Sequence, residues 1–184
     1  MLTEREFREL SVEGIMAAAG MSRPTFYHYF DDLADLLLQL LAEVQLELLS
    51  SAEPWLSGAS EGPEALRNAI SRSAGVWMKH RNLLLAVHDG AAQDPRLAQH
   101  YRGIMHEWAT VTADRLRAER RRGRTTLSTP YETAAALTLM NINVFAERLG
   151  RDAVDSPAVV GRVLSRIWIS TIYPGALDDQ PDGT

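Results

Sequence analysis

Gly20, Ser22 and Pro24 stand so close together that they limit the fold more than any other feature of the chain. Gly most readily takes φ > 0 just past a helix end, Ser is a strong N-cap, and Pro is accepted in a first turn, where its missing N–H would have no partner anyway. One helix must therefore stop and another start with almost no chain between them. Ser11 caps the first, whose Val12, Ile15, Met16 and Ala19 recur at spacings of three and four and make one apolar stripe. The second opens at Ser22, with Phe26 and Phe30 on its inner face and Arg23, Thr25, Tyr27, His28 and Tyr29 on its outer face. A helix-turn-helix reads duplex DNA with the N-terminal end of its second helix in the major groove, and hydrogen-bonding and planar side chains belong there. An ordinary helical hairpin packed in a bundle would carry the same pattern with those residues solvated.

The rest of the chain also has helical periodicity, and no strand-like alternation of useful length. Leu33, Leu36, Leu37, Leu40, Leu41, Val44, Leu48 and Leu49 mark a strongly periodic helix over 32–50, which connects the head to the remainder of the chain. Residues 53–63, with Pro54, Gly58, Gly62 and Pro63, read as a loop containing Trp55. Further helices are expected at about 63–80, 82–89 and 95–122, the last closed by Gly123. Thr129, Pro130 and Glu132 form a capping box that opens a helix to Leu149, and Ser156 and Pro157 open another that stops before Pro174. That final helix carries Val159, Val160, Val163, Leu164, Ile167, Trp168 and Ile172, an apolar stripe too wide for one buried seam. The expected organisation is all-α: a helix-turn-helix domain at 1–31, a helical ligand-binding and dimerisation domain at 32–175 and a frayed acidic tail at 176–184.

With the two-helix unit and the long apolar helix in view, the run GMSRPTFYHYF resembles the DNA-binding motif of the TetR family of bacterial transcriptional repressors. Those are all-α homodimers with an N-terminal reading head and a C-terminal ligand domain. Matched position by position, the resemblance implies that Arg23, Pro24 and Tyr27 face base edges while Ser11, Thr25, His28 and Tyr29 approach phosphates. The family's usual phosphate-binding Lys falls here at Leu33, flanked by Asp31, Asp32 and Asp35, so phosphate contact is expected to be weaker or differently made. Residues 1–9, MLTEREFRE, read as a helix end and a short connection, so the helix that in the family closes a three-helix core over Leu10, Ile15, Phe26 and Phe30 is expected to be absent or reduced to its last turn. The pieces MHEWATVTA, LTLMNINVFAERLG and RIWISTIYP resemble the EthR-type branch, whose members hold an elongated apolar ligand in an aromatic tunnel with an Asn anchor. That implies Asn141 as anchor and Trp108, Thr112, Thr138, Phe145 and Trp168 as wall, with dimerisation through the last two helices. Asn141 and Asn143 both interrupt an apolar helix, and a buried amide needs a polar partner.

Other chemistry finds little support. The chain of 184 residues has no Cys, which excludes disulfides and thiolate metal sites and fits a reducing cytoplasm. No apolar run approaches the ~20 residues that span a bilayer. A net charge of −5 argues against non-specific coating of nucleic acid, and Arg120, Arg121, Arg122 and Arg124, after Arg115 and Arg117 on an exposed face, read as a solvated helix C-terminus. His80, His88, His100 and His106 show no ligand spacing, and neither a phosphate loop nor a nucleophile motif occurs, so no metal, no cofactor and no enzyme are expected. The expected function is a dimeric repressor that binds operator DNA and is released by a small apolar effector. The alternative is a dimeric small-molecule-binding protein that has lost DNA binding, favoured by Leu33 and its acidic flank.

Overall fold

The computed structural model describes residues 11–150 and 152–176. The stretch MLTEREFRE, Leu10 and the acidic tail from Leu177 lie outside the described residues. Eight helices occur among them: α1 Val12–Ala19, α2 Arg23–Tyr29, α3 Leu33–Leu56, α4 Gly62–Lys79, α5 Arg81–Gly90, α6 Pro95–Arg121, α7 Pro130–Leu149 and α8 Pro157–Ile172. There is no strand among the described residues.

The short α1 and α2 form as their punctuation dictates. The Ser11 hydroxyl accepts from the Gly14 N–H at 3.1 Å, and Gly20 closes α1 at φ 67°, a conformation that any Cβ would strain. Ser22 accepts from the Thr25 N–H and opens α2. Phe26 and Met16 are buried, whereas Ile15 and Phe30 are only half-buried.

The remaining helices enclose two cores. The first joins the N-terminal half of α3, through Leu37, Leu41 and Val44, to Leu83 and Val87 of α5 and Leu97 of α6. The second, larger core joins Ala52 and Trp55 of α3 to α4, α7 and α8, with Leu66, Phe145, Leu164 and Ile169 among its members. Trp108 and Leu84 pack against both.

Three expectations need correction. The connector does not end at Ser50, because α3 runs on through Pro54 to Leu56 and leaves only 57–61 as loop. Pro54 cannot donate to the carbonyl one turn back, but only two helical residues follow it, and Trp55 beside it is buried and bonded to Tyr173. Second, the Thr129 side chain makes no capping bond, so Pro130 alone marks the start of α7. Third, Arg115 is not on an exposed face. It is 3% exposed beside Glu119 at 0%, with Nη2 2.6 Å from Oε1. Arg122 and Arg124 are exposed, as expected, and also reach the same Glu119 at 3.5 and 3.7 Å and Glu61, before α4, at 3.1 and 2.7 Å. Gly58 lies against this group at φ 86°, and a Cβ there would meet Arg115 Nη1 at 2.6 Å.

A buried pair of this kind is costly to break, because the remaining charge is left out of water without its direct partner. Glu119→Gln should destabilise the chain by about 3–5 kcal/mol in urea unfolding, and Arg115→Met with Glu119→Leu by much less. Equal losses for the single and the double change would show that packing rather than charge is being measured.

Candidate functional sites: an exposed helix and a buried cavity

On α2 the expected reading residues divide by what already holds them. The Thr25 hydroxyl lies 2.8 Å from the Ser22 hydroxyl and is half-buried, so it belongs partly to the cap. Arg23, Pro24 and His28 are exposed, as are Tyr27 at 53% and Tyr29 at 64%. Phe26 anchors the helix from below and meets the Tyr27 ring edge-on at 5.3 Å, while His28 and Tyr29 make a second edge-on pair at 4.9 Å. Planar groups are thus presented outward from a helix whose inner face is fixed. Ser11 is exposed at the start of α1, with its lone pair given to the cap.

The acidic flank turns inward. Asp32 caps α3 by accepting from the Asp35 N–H at 3.0 Å, and its other oxygen accepts from Arg96 Nη2 at 2.7 Å. Arg96 also reaches Asp94, the N-cap of α6, at 3.2 Å. One guanidinium therefore ties the starts of α3 and α6 together. Asp35 accepts from the Asp31 N–H at 3.1 Å, and Leu33 is half-buried. Two of the three carboxylates thus serve backbone donors instead of merely repelling a phosphate.

The Asp35 N–H first, and the Arg96 guanidinium after it, hold the Asp32 carboxyl below its ordinary value of 3.8, against the opposing effect of partial burial. A carboxyl with a depressed folded pKa contributes its stability above the unfolded value and loses it as pH falls through the folded one. The tether should therefore be constant between about pH 5 and 8 and loosen only below the ordinary carboxylate range. Carboxyl carbon NMR of Asp32 should titrate below 3.8, and Arg96→Gln should move it upward. An unmoved titration would mean that the pair is not formed in solution.

All six residues expected around a ligand, Trp108, Thr112, Thr138, Asn141, Phe145 and Trp168, line one apolar cavity of about 80 Å³ in the larger core. Trp168 Nε1 donates to Asn141 Oδ1 at 2.9 Å. The amide is thereby oriented with its oxygen on the indole and its NH₂ free for an acceptor. Thr112 and Thr138 are buried, and neither hydroxyl is bonded to another described residue. Asn143 is not part of this site: it is exposed and donates to the Leu139 carbonyl at 2.8 Å. Reading the sequence left out Trp55 and Trp77, which line the cavity from α3 and α4. At about 80 Å³ the cavity is smaller than one that takes benzene, which has about 150 Å³.

No group of three or more His, Asp or Glu side chains that could hold a metal occurs among the described residues. Among them, no helix is long and apolar enough to cross a membrane.

Comparison with known proteins covers both sites. Residues 1–40 match the family of bacterial regulatory proteins of the tetR type, and residues 66–174 match the C-terminal domain of the transcriptional regulator EthR. The chain is 31% identical over 181 residues to the HTH-type transcriptional regulator EthR of Mycobacterium tuberculosis, covering 94% of this chain and 82% of that one. It is 29% identical over 180 residues to the EthR of Mycolicibacterium smegmatis, covering 94% and 81%. Among solved structures, the TetR family regulator PfmR of Thermus thermophilus superposes with a TM-score of 0.73 at 17% identity, covering 90% of this chain and 91% of that one. A TetR-like regulator from Rhodococcus does so with a TM-score of 0.67 at 19% identity, covering 95% and 87%. The chain belongs to the TetR family, carries an EthR-type C-terminal domain, and is a transcriptional regulator and not an enzyme.

Proposed function

We propose that this regulator is a cytoplasmic repressor that grips operator DNA as a homodimer and lets go when a small apolar effector enters the cavity. The observation that carries this reading is the course of α3. Its N-terminus comes directly after α2, and its last turns supply Leu48, Ala52 and Trp55 to the cavity wall. Displacing that wall displaces the helix that holds the reader. In this reading Arg23, Pro24 and Tyr27 contact bases, and Ser11, Thr25, His28 and Tyr29 contact phosphates. Asn141 anchors the effector through its free NH₂, with Trp108, Thr112, Thr138, Phe145 and Trp168 around it.

The dimer is supported by apolar surface on the last two helices. Val159, Val163 and Ile167 of α8 and Leu139 of α7 are exposed, with Val163 at 52%. A contiguous apolar face of this kind is covered in a stable soluble protein. The second reading, a small-molecule-binding protein without DNA binding, draws on Leu33, where the usual phosphate-binding Lys is missing.

Fluorescence anisotropy against the region upstream of the protein's own gene separates the two. Tyr27→Ala should relax sequence preference, whereas Tyr29→Phe should weaken all sequences about equally. If neither change alters binding, α2 is not the reader. Addition of apolar amides should release the DNA, and release without any thermal shift of the protein would place the effector elsewhere.

Val163→Arg should give a monomer, because an unpaired charge in a desolvated interface costs several kcal/mol. Light scattering at micromolar concentration reads this directly. A monomeric mass for the unchanged chain would remove the dimer from the proposal.

A further inference from the structure

The four tryptophans of the cavity wall are held very differently. Trp108 is half-buried at the margin of both cores. Trp77 tilts against Phe145 at 6.0 Å, and Trp168 leans on the Asn141 amide. Trp55 is braced on several sides. Its Nε1 donates to the Tyr173 hydroxyl at 3.2 Å, its ring meets Trp168 edge-on at 6.3 Å, and the Arg115 guanidinium carbon lies 5.7 Å from its ring centroid. Arg115 is in turn bound to buried Glu119.

Trp55 also occupies one end of the cavity. α3 and α4 are joined by the loop 57–61, and the Ser51 and Ser73 hydroxyls meet at 3.0 Å, which sets an antiparallel register. Leu48 and Trp77 then fall toward one end, and Trp55 and Leu66 toward the other. Past the indole stand Tyr173, Arg115 and Glu119.

We infer that Trp55, braced by Tyr173 and Arg115, is the end stop of the cavity and sets the greatest length of apolar chain that it accepts. This rests on the reading of the cavity as the effector site. Swinging the indole away would leave its N–H and the Tyr173 hydroxyl without each other. It would also bring an apolar chain against a buried ion pair whose charges lack well-aligned hydrogen bonds, as Arg115 Nε and both Glu119 oxygens do. Trp108, on the α6 side, has no hydrogen bond to another described residue to give up.

The test is calorimetric titration of the full chain with N-alkylacetamides from butyl to dodecyl. Affinity for the unchanged protein should rise about fourfold per methylene, as burial of each CH₂ implies, and then stop rising at the length that meets Trp55. In Trp55→Leu the rise should continue for several more carbons, since Leu still covers the ion pair but lacks the bulk of the indole. Tyr173→Phe frees the indole without removing it and should move the break in the same direction by a smaller step. Circular dichroism establishes folding, and if Trp55→Leu does not fold, Tyr173→Phe decides. A break at the same length in every folded variant, or a rise without any break in the unchanged protein, overturns the end stop and leaves the effector site standing. No binding at any length by the unchanged protein overturns the effector site and the end stop with it.

Discussion

Leu37, Leu41, Val44, Leu48, Ala52 and Trp55 recur along α3 at spacings of three and four, so one face of a 24-residue helix is buried from end to end. At a rise of about 1.5 Å per residue such a helix is roughly 36 Å long. Its first half closes the core with α5 and α6, and its second half closes the core with α4, α7 and α8. A helix packed this way cannot turn at one end and stay still at the other, because interiors are close-packed and their side chains interlock. The head joins that helix through the short link Phe30–Asp32 and the bond from the Asp31 N–H to Asp35, so in the proposed mechanism a shift of α3 is passed to α2 along the chain.

Two groups of charges in this chain serve tertiary contacts. Asp32 and Asp94 are helix caps first, and Arg96 bridges them. Near the C-terminal end of α6, Arg115, Arg122 and Arg124 converge on Glu119 and Glu61, joining α6 to the loop before α4. Tyr173 belongs to the same group: burial pushes its phenol up to about 12, and the Glu119 carboxylate adds to the shift. The hydroxyl therefore stays protonated at any physiological pH, and the acceptor that it offers to Trp55 does not change.

What the sequence made legible was local. Ser11, Gly20 and Ser22 act within a few residues of themselves, and each does what its chemistry predicts. The prolines at 24, 63, 95, 130 and 157 likewise sit in first turns. Tertiary contacts were less legible. Pro54 read as a loop signal because the bond that holds Trp55 comes from Tyr173, far along the chain. Arg115 read as a surface residue because its partner lies on its own helix, whereas the groups around the pair, Trp55, Gly58 and Tyr173, are far away in the sequence. Asn141 and Asn143 look alike in an apolar helix, and two positions, about 200° of helical turn, put one amide in the cavity and the other in solvent. The six cavity residues came from likeness to a family, and the structure does gather them around one cavity.

The size of that cavity decides how the wall can respond. At about 80 Å³ it has roughly half the volume that takes benzene, so any larger occupant has to move side chains. Movement goes where the fewest favourable contacts are lost. Trp55 would give up a hydrogen bond, an aromatic contact and a cation over its ring, and it would uncover an ion pair. Trp168 would strand its own N–H and the Asn141 oxygen. Trp108 has no hydrogen bond to another described residue to break and is only partly buried at the seam between the two cores. The least resistant side of the cavity is therefore the α6 side. The N-terminus of α6 carries Asp94 and Arg96, which hold Asp32 at the start of α3. In the proposed mechanism, displacement entering at Trp108 therefore reaches the start of α3 by two routes, the core that α3 shares with α6 and the Arg96 contact with Asp32.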